Sequence, residues 1–351
     1  MATKHPPISG ASPTVTRTAR EPFFRDADDL VTIYHADSAD LSFLAPESVH
    51  LVVTSPPYNL GKDYGTARDD ATYHQYLDWV VSWARQLWRV LEPGGRLCLN
   101  IPLDINLSFD AGRKRVTQKS PVLADFTQRL VNEEGWLYNT TILWLEGNIS
   151  RRTAWGSWLK ASDPWVNTAA EAVLVLSKQR RKRDGRGKHT EISREDFMEW
   201  TLGLWEFRGE TSKRWDHPAA FPEELPTRLI RMFSFTDDVI LDPFLGSGTT
   251  CRAAKNLGRR SIGVDINPKY CETAAERCRV GPPPAAEPAI IKLARDVLPK
   301  PEDEYLLGRL DWAQSKVQTS RLPRAHVDEL AARRRANAKV RATRRPERSE
   351  T

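Results

Sequence analysis

The chain has 351 residues, 40% of them hydrophobic and 28% charged, with a formal net charge of +6; this is a globular composition long enough to bury a sizeable core. No run of 18 apolar residues occurs and the opening MATKHPPISGASPTVTR has no apolar stretch, so no membrane span, no secretory signal and a cytoplasmic location are expected. Cys98, Cys251, Cys271 and Cys278 show no C-x-x-C spacing, which argues against a zinc site or a disulfide framework and for buried reduced thiols, with no metal required.

Taken in chain order, residues 1–24 are rich in Pro, Ser and Thr and read as a flexible arm. A catalytic half is expected over 25–178. It opens with a buried strand, Val49 to Thr54, stopped by Pro56-Pro57 because proline denies a sheet its donor. Residues 71–91 carry apolar positions at helical spacing, with Trp79 and Trp83 on the core face, up to the break at Glu92-Pro-Gly-Gly95. A strand from Arg96 to Ile101 follows, then a loop over 112–120, a helix from Pro121, and strands around 138–145 and 172–177. After a joining segment, 179–217, a second half over 218–281 repeats the rhythm: helix 222–234, strand Val239 to Leu241, helix 249–257, strand Ser261 to Asp265, helix 268–279. Strands alternating with helices in both halves predict an α/β fold with a doubly wound, mostly parallel sheet. Pro282-Pro-Pro284 marks a boundary, and 282–351 reads as a basic appendage.

The positive charge is concentrated. Residues 178–188 (KQRRKRDGRGK) hold seven Lys/Arg against one Asp, and 320–351 hold ten against four acids, which leaves the remaining body mildly acidic. Two basic segments on an acidic body point to a polyanion, with a solvated linker and a disordered tail as the alternative. The expected phosphate contacts are Arg180, Arg181, Lys182 and Arg183, together with Arg151 and Arg152 in the polar, aromatic loop 148–158.

Two constellations carry chemistry. In Asp242-Pro-Phe-Leu-Gly-Ser-Gly-Thr-Thr250, Gly246 and Gly248 allow a tight turn between strand and helix, and the helix start just beyond offers free N–H groups to an anionic group. Nineteen residues after Gly246, Asp265 ends the next strand, where a carboxylate can accept both hydroxyls of a ribose. That pairing describes a nucleoside-bearing cofactor, while the missing GK[ST] and third glycine argue against ATP hydrolysis and NAD. The second constellation, Thr54-Ser-Pro-Pro-Tyr58, lies at the C-terminal end of a strand. The Ser55 hydroxyl and the Pro56 carbonyl can take both hydrogens of an exocyclic amino group and localise its lone pair. Pro56 and Pro57 hold that backbone rigid, and Tyr58 offers a face to a base turned out of the duplex.

TSPPYNLGKDY and DPFLGSGTT together resemble the catalytic and cofactor motifs of the DNA amino-methyltransferases, in the permuted order of their β group, over roughly residues 30–280. The resemblance implies a Rossmann-like fold, S-adenosylmethionine as cofactor, and site-specific methylation of double-stranded DNA at cytosine N4 or adenine N6. It further implies cofactor contacts from Asp37, Asp242, Phe244, Gly246, Ser247, Gly248, Thr249 and Asp265, catalysis by Ser55, Pro56, Pro57 and Tyr58, and a closing segment at His217 to Pro222. Serine at the head of the tetrapeptide is commoner in members that modify cytosine, so cytosine N4 is favoured. The segment 179–217 is the expected target reader. A homodimer and a cognate restriction endonuclease are left open as partners, and an RNA or protein amide methyltransferase or a non-enzymatic DNA-binding protein are the rival readings.

Overall fold

The computed structural model describes residues 20–59, 72–111, 114–146, 156–157, 159–166, 168, 170–209 and 221–279, all within the first of the chain's two units, Met1–Pro282. The strands in chain order are β1 (Phe24–Arg25), β2 (Val31–His35), β3 (Val49–Thr54), β4 (Leu91–Pro102), β5 (Ile105–Ala111), β6 (Lys114–Ser120), β7 (Leu137–Glu146), β8 (Ala170–Ser177), β9 (Leu204–Phe207), β10 (Val239–Asp242) and β11 (Arg260–Asp265). The helices are α1 (Tyr73–Val90), α2 (Val122–Thr127, continued as a π-helical turn over Gln128–Glu133), α3 (Arg194–Trp200), α4 (Glu224–Phe233), α5 (Thr249–Asn256) and α6 (Pro268–Arg279).

Nine strands form one sheet in the order β1-β2-β11-β10-β3-β4-β8-β7-β9. The five pairings β2–β11, β11–β10, β10–β3, β3–β4 and β7–β9 are parallel, while β1–β2, β4–β8 and β8–β7 are antiparallel. The doubly wound, mostly parallel expectation is met with a correction: the strands around 138–145 and 172–177 exist, but β8 runs against both its neighbours. Val173, Leu174, Val175 and Leu176 are all fully buried, and an unbroken apolar run of this kind suits a strand covered on both faces whichever way it points.

Helices cover both faces. On one, α1 buries Tyr76, Leu77, Val80, Trp83, Ala84 and Leu87 at spacings of three and four against Val52, Leu97, Leu99 and Leu174. A reciprocal Thr72–Gln75 capping box starts that helix. On the other, α4 and α5 pack Leu225, Leu229, Ala253 and Ala254 against Leu51, Val53, Cys98 and Ile240, while α6 lays Cys271 and Ala274 over Val31 and Ile33. All four cysteines are buried free thiols, as expected. Among the described residues no helix is long and apolar enough to cross a membrane.

Two further differences lie within 105–207. Within the loop expected over 112–120, residues 114–120 instead form the second strand of a hairpin, with β5 and β6 paired from Ile105–Ser120 to Ala111–Lys114. The joining segment also contributes α3 to a helical layer and β9 to the sheet, where β9 pairs with β7 from Leu143–Leu204 to Glu146–Phe207.

The basic segment holds the two halves together through Arg183. Its guanidinium is buried and makes a two-pronged bridge to Asp238 at 2.6 and 2.8 Å, with Glu92 at 2.5 Å and the Phe235 ring 5.0 Å away. Burial by itself would raise the Asp238 carboxyl, but the Arg183 guanidinium outweighs it and holds the carboxyl below its ordinary value. Arg183→Ala strands Asp238 in the interior and is expected to cost about 3–5 kcal/mol in equilibrium urea unfolding, whereas replacing Arg183 and Asp238 together by Met and Leu recovers most of that loss. Equal losses in the single and the double variant would contradict this account.

Candidate functional site: the crevice between β3 and β10

After β3 the chain crosses to β4 on one side, and after β10 it crosses to β11 on the other. The chain segments leaving these neighbouring parallel strands therefore diverge and open a crevice at their C-terminal ends, the place where open α/β sheets bind ligands. Both sequence constellations emerge there. Thr54 ends β3 and donates its hydroxyl to Asp242 Oδ1 at 2.6 Å; the Phe244 N–H donates to the same oxygen at 3.1 Å. Asp242 is buried, and burial pushes its carboxyl up to about 6, partly offset by the Thr54, Thr250 and Phe244 hydrogen bonds. Its side chain, expected among the cofactor contacts, is turned inward and ties the two constellations together.

Ser55 and Tyr58 are half-buried, with Ser55 Oγ 2.7 Å from Tyr58 Oη. Tyr58 Oη is also 3.3 Å from both the Asn100 carbonyl and Glu171 Oε2. Asn100 Nδ2 donates to Glu171 Oε2 at 2.5 Å and to Tyr58 Oη at 3.2 Å. Behind the prolines, the Tyr76 hydroxyl of α1 donates to the Pro57 carbonyl at 2.9 Å. Neither Asn100 nor Glu171 was among the expected residues. The available signal was a polar residue in the buried run LCLNIP and a lone acid at the head of AVLVLS, both at strand ends that face the crevice.

On the other side of the crevice, Asp265 ends β11 with each carboxylate oxygen accepting one backbone N–H at 2.8 Å, Gly246 on Oδ2 and Asn267 on Oδ1. Burial raises this carboxyl, and those two bonds work against the rise. The Asp265 carbonyl accepts from the Ala36 N–H at 2.9 Å, which sets the exposed Asp37 beside it; Asp37 Oδ1 caps the Ala39 N–H at 2.8 Å. Phe244 packs 5.4 Å from both Trp79 and Trp83. Gly248 has φ +80°, and a Cβ there would meet the Ala274 Cβ at 2.7 Å, so this position demands glycine. Ser247 and Thr249 are buried, and their hydroxyls receive Arg277 Nη1 at 2.6 and 3.1 Å, with the Ser247 carbonyl at 2.9 Å. Their side chains hold the loop, and only their backbone is left for a ligand at the start of α5.

Of the expected DNA contacts, Arg180, Arg181, Lys182 and Arg183 are not brought to this crevice. Arg151, Arg152 and residues 217–220 lie outside the described residues. Residues 180–183 follow the far end of β8, where Lys178 exchanges backbone hydrogen bonds with Gly94 and Gly95. Glu171 at the crevice end and Ser177 at that far end are six residues apart, about 20 Å along an antiparallel strand. There Arg181, Lys182 and Arg183 border a cavity of about 330 Å³ with Arg96 and Phe235. For Arg183 the phosphate-contact expectation fails outright, because its guanidinium is buried in the Asp238 bridge.

The geometry is that of a cofactor loop and a reaction loop meeting at the switch of strand order, and comparison with known proteins gives it a family. The chain belongs to the N6/N4 DNA methylase family, whose profile matches residues 49–276. It is 44% identical over 186 residues to the type II methyltransferase M.MjaVI of Methanocaldococcus jannaschii, a match spanning 53% of this chain and 90% of that protein. TTHA0409 of Thermus thermophilus, solved in complex with S-adenosyl-L-methionine, matches with 31% identity and a TM-score of 0.54 over 70% of this chain and 92% of that one. The cytosine-N4-specific PvuII DNA methyltransferase shares the fold, with 24% identity and a TM-score of 0.55 over 70% of this chain and 86% of that one.

The Asp242 tie has a pH signature. The folded chain keeps this proton up to about pH 6 while the unfolded chain releases it near 3.8, so stability falls as pH rises through that window, by about 3 kcal/mol in all at about 1.36 kcal/mol per unit. Asp242→Asn retains an acceptor for Thr54 and Phe244 but does not titrate. Its stability relative to wild type is expected to improve between pH 4 and pH 7 and then level off. A gap independent of pH in paired urea unfolding curves would show that Asp242 is ionised throughout.

Proposed function

We propose that this chain methylates the exocyclic amino nitrogen of a base flipped out of duplex DNA, cytosine N4 ahead of adenine N6, with S-adenosylmethionine as methyl donor. The observation that carries the reading is the Thr54–Asp242 hydrogen bond, which fixes the reaction loop beside the cofactor loop. The residues fit the cofactor. Asp265 at the end of β11 and Asp37, two residues beyond the paired end of β2, stand as acceptors for the hydroxyls and amino group of a nucleoside, and the start of α5 has no side-chain cap, leaving N–H groups and the positive end of its dipole for a carboxylate. The Gly246 and Gly248 backbone and the Phe244 ring complete that wall. When bound, S-adenosylmethionine supplies an electrophilic methyl group.

Ser55 Oγ and the Pro56 carbonyl accept the two amino hydrogens, and Tyr58 stacks on the base. The preference for cytosine rests on Ser55 at the head of the tetrapeptide. Target reading is assigned to 179–217, with its weight on the C-terminal part: β7 and β9 run parallel to β4 and end toward the crevice, so the chain that follows Glu146 and Phe207 leaves from the reactive edge. We also propose an arm over 1–24, catalytic and cofactor halves over 25–178 and 218–281, and a phosphate-binding appendage over 282–351.

Expression in a host free of DNA methylation, followed by modification-sensitive sequencing, is expected to yield N4-methylcytosine at one defined sequence. N6-methyladenine would reassign the base, and unmodified DNA from a soluble, cofactor-binding enzyme would overturn the function. Asp265→Ala is expected to weaken S-adenosylmethionine binding in calorimetry by about 1.5–3 kcal/mol for each charge-assisted bond removed. Tyr58→Ala is expected to bind the cofactor normally yet lose single-turnover methylation, base stacking being worth about 1–3 kcal/mol. Unchanged affinity in the first variant, or an unchanged rate in the second, would remove that residue from its role.

A further inference from the structure

Ser55 is a neutral hydroxyl where a strong acceptor is needed, and its hydrogen-bond partners show how the deficit is met. A phenol has one hydrogen and two lone pairs. Tyr58 Oη has Ser55 Oγ at 2.7 Å, Asn100 Nδ2 at 3.2 Å and Glu171 Oε2 at 3.3 Å. A carboxylate only accepts and an amide nitrogen only donates, so an ionised Glu171 draws the Tyr58 proton towards itself and Asn100 fills one phenol lone pair. The other lone pair is left for the Ser55 proton. In this arrangement Ser55 Oγ points both of its lone pairs away from its own O–H, ready for an amino hydrogen. The Asn100 carbonyl, also 3.3 Å from the phenol, is the competing acceptor, but a charge-assisted bond to the carboxylate is about twice as strong as a neutral one.

We infer that Glu171 is a positioning residue of the reaction: acting through Tyr58, it makes Ser55 a pure acceptor and takes the proton that the amino group loses. This inference rests on the methyl-transfer reading. As the amino nitrogen's lone pair forms the new N–C bond, the S–C bond breaks and its electron pair goes to sulfur, leaving the nitrogen positively charged. One N–H bond then breaks. Its proton passes to Ser55 Oγ, the Ser55 proton to Tyr58 Oη, and the Tyr58 proton to Glu171 Oε2, so that one O–H bond forms on the carboxylate and both hydroxyls are regenerated. The negative charge that Ser55 lacks is thus supplied from β8, a strand distant in sequence from the reaction loop.

The test compares wild type with Glu171→Gln and Tyr58→Phe in single turnover on a duplex carrying the mapped target sequence. Gln keeps an acceptor oxygen for Asn100 but carries no charge and takes no proton; Phe keeps the ring and breaks the chain. Each is expected to slow methyl transfer by about 100-fold or more, the scale of a lost acid–base contribution. Cofactor and DNA affinities should stay within about threefold, and the double variant should be no slower than the slower single variant, since both changes cut one chain. The wild-type rate should fall towards acid pH as the carboxylate protonates, beside whatever the buried Asp242 and Asp265 carboxyls contribute, and the limb should shift in Glu171→Gln. A Glu171→Gln rate within about threefold of wild type, additive losses in the double variant, or an acid limb unchanged from wild type would overturn the inference. If Glu171→Gln fails to fold, the acid limb in Tyr58→Phe decides: its shift from wild type supports the relay and an unchanged limb overturns it. Mapping with the wild-type enzyme decides the methyl-transfer reading separately.

Discussion

Ile240 and Leu241 pair with Leu51 and Val52, although a long stretch of chain separates them, and the arrangement of the site follows from that one pairing. With β3 beside β10, the crossovers to β4 and β11 leave in opposite directions and cannot cover the same space. The hydroxyl of Thr54 then closes the last gap to Asp242 at 2.6 Å. The buried Asp242 carboxyl is held there by the Thr54 hydroxyl and the Phe244 N–H, neutral donors where a cation would repel a positively charged cofactor. Catalytic and cofactor segments in either chain order give the same crevice, provided these two strands lie side by side.

Much of this was legible in the sequence. The strand before Ser55, the strands before Asp242 and Asp265, the helix at 71–91 with Trp83 in its core and the two helices after 249 fall where apolar spacing and Gly or Pro breaks place them. Strand direction was not legible, because β8 is fully buried and a run such as Ala-Val-Leu-Val-Leu has the same pattern in either sense. The β5–β6 hairpin was missed because Lys114, Arg115 and Lys119 give its second strand the look of a charged loop. At the site, residue types marked candidate ligand contacts but not the groups that face one another. Asp242 and Thr249 were read as ligand contacts from their motif, and only three-dimensional partners, Thr54 for one and Arg277 for the other, show them turned inward.

Arg183 illustrates the same limit for charge. Within KQRRKRDGRGK nothing distinguishes it from its neighbours, yet Asp238 and Glu92 take up its guanidinium while Arg186, two residues beyond Asp184, remains exposed. A basic run therefore divides into cations that meet solvent, Lys178, which is buried against Glu47 and the Leu91 carbonyl, and Arg183, which fastens the two halves of the fold. Its place at the end of β8 opposite to Glu171 gives that strand two separate duties, an electrostatic anchor at one end and a carboxylate for the reaction loop at the other. The apolar stretch from Ala172 to Leu176 insulates one from the other.

Arg277 shows what it means for the cofactor loop to be set before any ligand arrives. Its three bonds to Ser247 and Thr249, together with the left-handed Gly248 seated against Ala274, restrain the turn. The entropy of ordering that turn, about 1–2 kcal/mol for each residue fixed, has been surrendered during folding and is not subtracted from binding. Weakening the α6 clamp would leave every ligand contact in place and still lower affinity, because the same ordering would then fall due at the moment of association.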